Sequence, residues 1–349
     1  AIILMLALSL LVGVTSADAG KVRVLKKTST SSSLDFLRHQ IRPSGFIDSY
    51  VEDTVEYSYT YDDAMAAMAF ISSGDYVSAR KILDAFLQKG PLSEGGFSNL
   101  YNSTTGVSLG ILAVGHNAYL VQAINRYYRQ THDARYNALA RTVADYILTQ
   151  QALDGGIYGR AGVTWKSTEN NLAAFTAIWS LGSAQNLISY GQKAMLIHDF
   201  LLNKCWDGTR FLTGENDTMI VTDTQALGGM ILGQSFKNGA YWVRDYTGTT
   251  KTYQGKSVTG YDENTDRDTV WTEGTLQEAM AFLVAGDTTA YLACKAEAEK
   301  LLNASTGAFM WATNRGTTGF GDYFESWQAV APTAWYIIVA NQDDVFWPF

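Results

Sequence analysis

The stretch Trp271-Thr272-Glu273-Gly274-Thr275-Leu276-Gln277-Glu278-Ala279-Met280 opens an otherwise apolar helix with an aromatic ring, a carboxylate and small polar side chains. A sister stands about a hundred residues earlier, Trp165-Lys166-Ser167-Thr168-Glu169-Asn170-Asn171-Leu172. Four more apolar stretches open on polar clusters: Asp62-Asp63, His116-Asn117, Asp223-Thr224-Gln225, and Glu325 to Gln328. These six starts, near residues 62, 117, 169, 223, 273 and 327, recur every 50 to 55 residues. A fixed period of this length marks a repeated supersecondary unit. Here the unit is a helical hairpin.

The hairpins are legible from periodicity and caps. Residues 61–72 form an apolar helix, and Gly74-Asp75 follows. Glycine suits the left-handed residue past a helix end, and Asp suits the N-cap of the next helix. Residues 76–88 then carry Ala79, Ile82, Leu83 and Phe86 at i, i+3, i+4, i+7, one face of an α-helix. The pattern returns in residues 117–129 with a partner capped by Asp133, in 169–181 with 187–202, in 223–234 with a weak partner near 240–245, and in 272–285 with 288–302 after Gly286-Asp287. Residues 326–340 close the series, with residues 33–40 as their outer partner. Between hairpins, Gly95-Gly96-Phe97, Gly155-Gly156-Ile157, Gly208-Thr209-Arg210-Phe211 and Gly307-Ala308-Phe309 predict tight turns with a ring tucked beneath. Six hairpins whose alternate helices begin with polar groups describe a ring, with the starts of the inner helices around one cavity. Residues 255–268 form the longest stretch without a helical pattern, a candidate wall or lid beside Trp271.

Composition narrows the classes of function. Hydrophobic residues make up 47% of the 349 and charged residues 17%, enough for a large core and too little charge for global disorder. The net charge of −8, with basic residues scattered apart from residues 21–27, argues against nucleic acid. Nine Trp and 20 Tyr exceed what a helical bundle needs, and aromatic faces stack on sugar rings. Residues 1–14 are apolar and lead into Ala17-Asp18-Ala19, so residues 1–19 read as a secretory leader that is not a comfortable membrane span. Residues 20–33 then read as a linker and 34–349 as one domain, expected to be exported and monomeric. Export agrees with glycosylation sequons at Asn102, Asn216 and Asn303. Cys205 and Cys294 show neither a disulfide framework nor metal-ligand spacing, so two free thiols and no metal or other cofactor are expected.

The helix openings resemble those of the six-hairpin glycosidase superfamily: Tyr61-Asp62-Asp63-Ala64, Gly115-His116-Asn117-Ala118-Tyr119, Lys166-Ser167-Thr168-Glu169-Asn170-Asn171, Asp223-Thr224-Gln225-Ala226, Val270-Trp271-Thr272-Glu273-Gly274-Thr275 and Ala331-Pro332-Thr333-Ala334-Trp335. The resemblance covers about residues 57–340. It implies an all-α, (α/α)6 toroid with inner and outer helix rings, and action on glycosidic bonds. Relatives often carry His where Asn170 stands and Trp where Ala226 or Leu227 stands. The superfamily also holds lyases and epimerases, and fold alone does not fix a reaction.

Glycoside hydrolysis needs one protonated carboxyl and one ionised carboxylate. Asp62, Asp63, Glu169, Asp223 and Glu273 stand at inner-helix starts. For any one of them capping is the commoner role; the joint pattern is what points to a shared cavity. Glu273 beside Trp271 is the candidate acid, with Glu169 or Asp62 as base or nucleophile. Trp165, Trp271, Tyr61 and Trp327 are candidate sugar platforms, set against core packing. Asn117, Asn170 and Gln225 are candidate hydroxyl partners, set against capping. His116 is a candidate base for an epimerase, but His39, His132 and His198 fall on outer helices or turns and supply no second imidazole. A lyase acting on uronates would want cavity arginines, which these starts lack. A non-catalytic glycan-binding or surface protein is the third class.

Overall fold

A computed structural model of the protein describes residues 29–346. The leader-like residues 1–19 and most of the linker lie outside the described residues. Twelve α-helices are present among those described. In chain order they are α1 Ser31–Gln40, α2 Thr60–Ser72, α3 Tyr76–Lys89, α4 Val114–Thr131, α5 Asn137–Thr149, α6 Thr168–Ala184, α7 Ile188–Phe200, α8 Thr222–Leu232, α9 Asn238–Thr247, α10 Thr272–Val284, α11 Thr288–Ala298 and α12 Val330–Asn341. The even-numbered helices form the inner ring, each packed on its neighbours, with α12 against both α10 and α2. Helix α1 serves as the outer partner of α12, so the first and last of the described helices close an (α/α)6 toroid. The first helix begins at Ser31, inside the stretch read as linker. The sixth inner helix begins at Val330, three residues past the expected 327.

Burial separates the two rings. Inner helices are enclosed on all sides: in α2 every residue from Ala64 to Ile71 is buried, and in α12 every residue from Val330 to Ala340. Helices of this kind are apolar all round. Outer helices bury one stripe, as Ala79, Ile82, Leu83 and Phe86 do in α3. Asp75, Ser167 and Asp287 cap α3, α6 and α11 through their side chains, and Gly74 and Gly286 take the positive φ the hairpin turns require.

The repeat is finer than the spacing revealed. Counting from the first residue of each inner helix, position 4 is Asp63, Asn117, Asn171, Gln225, Thr275 and Thr333. Each accepts a hydrogen bond from one backbone N–H of the rim segment that precedes its helix. The donors are Ile47 (2.8 Å), Phe97 (2.7 Å), Ile157 (2.7 Å), Phe211 (2.9 Å), Tyr261 (3.0 Å) and Phe309 (2.9 Å). Position 1 works in the other direction. The N–H groups of Thr60, Val114, Thr168, Thr222, Thr272 and Val330 donate to carbonyls of the next rim segment round the ring, at Asn99, Gly159, Thr213, Glu263, Trp311 and Ser49, all within 3.1 Å. Each rim segment is thus held between two consecutive inner helices. Orphan N–H groups at helix starts must find partners, and here they tie the ring together. The expected turns precede the pinned residues: Gly95, Gly155, Gly208 and Gly307 all have positive φ, and Phe97, Phe211 and Phe309 are fully buried beneath them.

The segment 255–268 is not irregular throughout. Gly248–Tyr253 and Lys256–Tyr261 pair as an antiparallel hairpin, with Gln254 and Gly255 both at positive φ, the demand of a two-residue primed turn. Val258, Gly260 and Tyr261 of its second strand are buried; with glycine at one inward position, the sequence shows no apolar alternation. Short pairs at residues 57–59 with 100–102, 309–310 with 328–329 and 316–317 with 323–324 stiffen the same rim.

Candidate active site

A helix turns about 100° per residue, so positions 2 and 4 of a helix lie on nearly opposite sides. With position 4 committed to the rim segments, position 2 is turned toward the axis of the ring. The six residues there are Tyr61, Gly115, Glu169, Asp223, Glu273 and Ala331, and all six line one cavity of about 350 Å³. Position 3 adds Asp62, His116 and Asn170; one turn deeper, Tyr119, Leu227 and Gln277 form its walls. Tyr119 packs edge-on against Phe346, with ring centres 5.8 Å apart, and Phe346 also lies against Trp335. The end of the described chain therefore closes the floor.

Neither Glu169 nor Glu273 caps its helix. The cap of α6 is the Ser167 hydroxyl, which accepts from Asn170 N–H at 3.1 Å. Glu169 accepts instead from the Tyr119 hydroxyl at 3.3 Å. Glu273 Oε1 accepts from the Tyr61 hydroxyl and from Gln277 Nε2 at 3.2 Å, and Trp335 Nε1 donates to the same Tyr61 oxygen at 3.0 Å. A Trp–Tyr–Glu relay from the closing helix α12 thus orients Glu273. Asp223 accepts from the N–H and hydroxyl of Thr224.

Burial raises every one of these carboxyl groups. Glu273 is pushed up to about 8 by desolvation, against the lowering effect of the Tyr61 hydrogen bond, with Asp62, Asp223 and Glu169 adding to the rise. Glu169 is pushed up to about 8 by desolvation and by Asp223. Asp62 reaches about 7 by desolvation, partly offset by a hydrogen bond from Ser49. Glu169 and Asp223 keep some contact with water through the mouth of the cavity, but protein encloses them on every other side. His116 is pushed down to about 4 by burial, so its ring is neutral near pH 7.

The rim supplies residues that helix periodicity could not reveal. Glu263, just past the hairpin of residues 248–261, lines the cavity and is raised well above the usual carboxylate range by desolvation, then by Asp223, Glu169 and Glu273. Tyr50 and Tyr59 come from the segment before α2; Trp311, Thr318, Phe320, Asp322 and Phe324 come from the segment before α12. Phe324 stacks on Trp271 with ring centres 5.4 Å apart. Gly274 makes room for that indole, since a Cβ there would meet it at 2.3 Å. Asp266 and Asp268 hold the flap of residues 316–324 through the Thr317 hydroxyl and N–H, and their oxygens lie within 4.8 Å of those of Asp262.

Of the residues singled out from sequence, Tyr61, Asp62, His116, Glu169, Asn170, Asp223, Trp271 and Glu273 come together in the cavity. Asp63, Asn117 and Gln225 do not. They are the position-4 pins of the rim, buried at 0% exposure; the side chains of Asn117 and Gln225 are spent on backbone, and Asp63 accepts from the Ile47 N–H and the Ser58 hydroxyl. Trp165 is half exposed and folds over Gly159; Trp327 packs edge-on against Tyr50 at 5.7 Å. Neither lines the cavity. His39 lies on α1, His198 on α7 and His132 at the far end of α4, so His116 is the single imidazole among the lining residues.

No protein-family model matches the chain, and no curated protein sequence matches it. Solved structures do. A glycosidase variant in complex with glucose is 12% identical, with 90% of this chain and 95% of that one covered at a TM-score of 0.69. A D-mannose isomerase is 11% identical over 90% and 95%, with a TM-score of 0.68. The cellobiose 2-epimerase of Spirochaeta thermophila DSM 6192 is 13% identical over 89% and 93%, with a TM-score of 0.67. At such identities the likeness is one of fold, and it agrees with the resemblance of the helix openings to six-hairpin proteins.

Proposed function

We propose that the protein is a glycoside hydrolase acting on an oligo- or polysaccharide in the central cavity. The observation that carries this reading is the convergence of Asp62, Glu169, Asp223, Glu263 and Glu273 on one aromatic-walled cavity, each with its proton affinity raised by burial. Glu273, held by Tyr61 and Gln277, remains protonated up to about pH 8 and serves as the acid. It gives its proton to the glycosidic oxygen as the C1–O bond breaks. Asp62, which ionises about a unit lower, takes a proton from the water that attacks C1. A pair of carboxyls whose environments set their proton affinities apart is the usual basis for such a division of roles.

A sugar isomerase or epimerase is the second reading, favoured by one observation: His116 stands in the cavity with a buried Nδ1 that lacks a partner. Against it stands the lack of a second imidazole among the lining residues. A lyase acting on uronates is disfavoured because no arginine or lysine among the described residues lines the cavity. The deciding experiment is a panel of oligo- and polysaccharides followed by reducing-end release and by proton NMR of the products. Release of new reducing ends supports hydrolysis; conversion of a free sugar into its isomer, with no new reducing end, would replace the hydrolase reading with the second one.

A further inference from the structure

The cavity is short of positive charge. Six carboxyl groups line it: Asp62, Glu169, Asp223, Glu263 and Glu273, with Asp322 at the flap. Among the described residues no lysine or arginine lines it, and the one imidazole is held neutral by burial. Around the acids stand aromatic rings, among them Tyr50, Tyr59, Trp311 and Phe320. Two further lining residues keep polar atoms without a protein partner: the indole N–H of Trp271, 6% exposed, and Oε1 of Gln277, 2% exposed. Gln277 gives an amide N–H to Glu273, and its Oε1 is an acceptor without a protein partner.

Acceptors in excess, aromatic faces and no fixed cation together describe a receptor for a cation. They offer no counter-charge to uronates, sulfated sugars or sugar phosphates. We propose that the natural substrate is a glycoside of an amino sugar with a free, protonated amine, and that Glu169, Asp223 and Glu263 receive the ammonium group. Three points place it there. These three acids act on one another electrostatically. Two come from adjacent inner helices and the third from the rim segment hydrogen-bonded to the start of α8. The Glu273 and Asp62 carboxyls remain for the chemistry. The amine keeps its proton throughout. The proton moved in the reaction passes from Glu273 to the leaving oxygen, and water returns one to Asp62 as its oxygen bonds to C1. A protonated amine supplies the counter-charge these acids lack, and a charge-assisted hydrogen bond in a partly desolvated site is about twice as strong as a neutral one.

This inference rests on the glycoside hydrolase reading, and the test separates the two. Calorimetric titration at about pH 6 compares D-glucosamine, D-galactosamine, D-glucose and N-acetyl-D-glucosamine. Hydrolysis is compared on glucosamine oligomers, their N-acetylated counterparts and neutral glucans and mannans. An amine preference of about tenfold or more in binding or kcat/KM is expected, from at least one charge-assisted contact. The Glu263→Gln variant, checked for an unchanged melting temperature, should lose most of that preference. Cleavage of neutral or N-acetylated glycosides as fast as the amino forms would overturn the amine assignment and leave the hydrolase reading standing. A preference undiminished in both Glu263→Gln and Asp223→Asn would overturn the placement of the ammonium group. Failure to cleave any glycoside would overturn the hydrolase reading itself, and the amine assignment with it.

Discussion

Replacing Glu273 by Gln removes the transferable proton and little else. Glutamine keeps an oxygen that can accept from Tyr61 and Gln277, the two partners of the carboxyl. No helix cap is lost, because Glu273 accepts no backbone N–H. The change should therefore divide into two effects of different origin. On a substrate with an alkoxide leaving group, turnover should fall by roughly 10²- to 10⁴-fold, the usual contribution of a positioned general acid. On an activated aryl glycoside, whose leaving group needs no proton, the loss should be far smaller. The second effect is on stability. The wild-type carboxyl binds its proton up to about pH 8 when folded, against 4.5 for an unperturbed glutamate. Between those values the folded state holds a proton that the unfolded state has released, so this group makes wild-type stability fall as pH rises. The slope is about 1.4 kcal/mol per pH unit, and the Gln variant lacks it. At about 1.4 °C per kcal/mol for a chain of this size, the melting temperature of the variant should gain on wild type by about 2 °C per pH unit from pH 5 to 8. The assays are turnover on paired alkyl and aryl substrates and calorimetric melting across that range. Full activity of the variant on alkyl glycosides would refute the acid assignment, and a melting difference independent of pH would refute the buried, protonated state.

The pins of the rim should behave in the opposite way. Asn117→Ala leaves the buried Phe97 N–H and C=O unpaired, and Gln225→Ala does the same at Phe211; each should cost about 2–4 kcal/mol while kcat/KM of the folded enzyme changes by less than about threefold. Loss of activity without loss of stability would return those residues to the substrate. Cys205 and Cys294 are both free, one after α7 and one in α11 with the fourth hairpin between them, so two thiols should titrate in denaturant without reductant; a linked peptide in non-reducing mass spectrometry would contradict this.

The ring was legible because it rests on signals the chain repeats: Gly-Asp hairpin turns, outer helices with one apolar stripe, and polar openings at a steady interval. All six inner helices start within three residues of the positions expected from sequence, five of them one to three residues early and the sixth three residues late. The sixth is offset because Trp327-Gln328 pairs with the rim before the helix begins. The active-site assignment erred where two polar residues share one helix start. Asp62 and Asp63, His116 and Asn117, and Asp223 and Gln225 look equivalent as letters, yet one or two residues along a helix is a rotation of 100° or 200°. Glu263 was out of reach because a loop has no period from which to read its direction.

Aligning the six repeats on one another separates the roles without any second sequence. Position 4 reads Asp, Asn, Asn, Gln, Thr, Thr, six side chains that all present a hydrogen-bond acceptor, and all six do the same work on the rim. Position 2 reads Tyr, Gly, Glu, Asp, Glu, Ala, with no common chemistry. A position that must hold the repeat together is constrained alike in every copy, because every copy meets the same backbone N–H. A position that faces the centre meets no shared backbone group, so it is free to differ from copy to copy. The small residues fit this account. Gly115 leaves the space that Asn170 fills, since a Cβ there would stand 2.1 Å from Asn170 Oδ1, and Ala331 faces the cavity from the helix whose Trp335 instead supports Tyr61. Glu169, Asp223 and Glu273 therefore lie together on one arc of the ring, with the small residues and Tyr61 on the other. Such a lopsided set of buried carboxyl groups would be costly to keep for structure alone, and it sets the side of the cavity on which a cationic substrate group would be held.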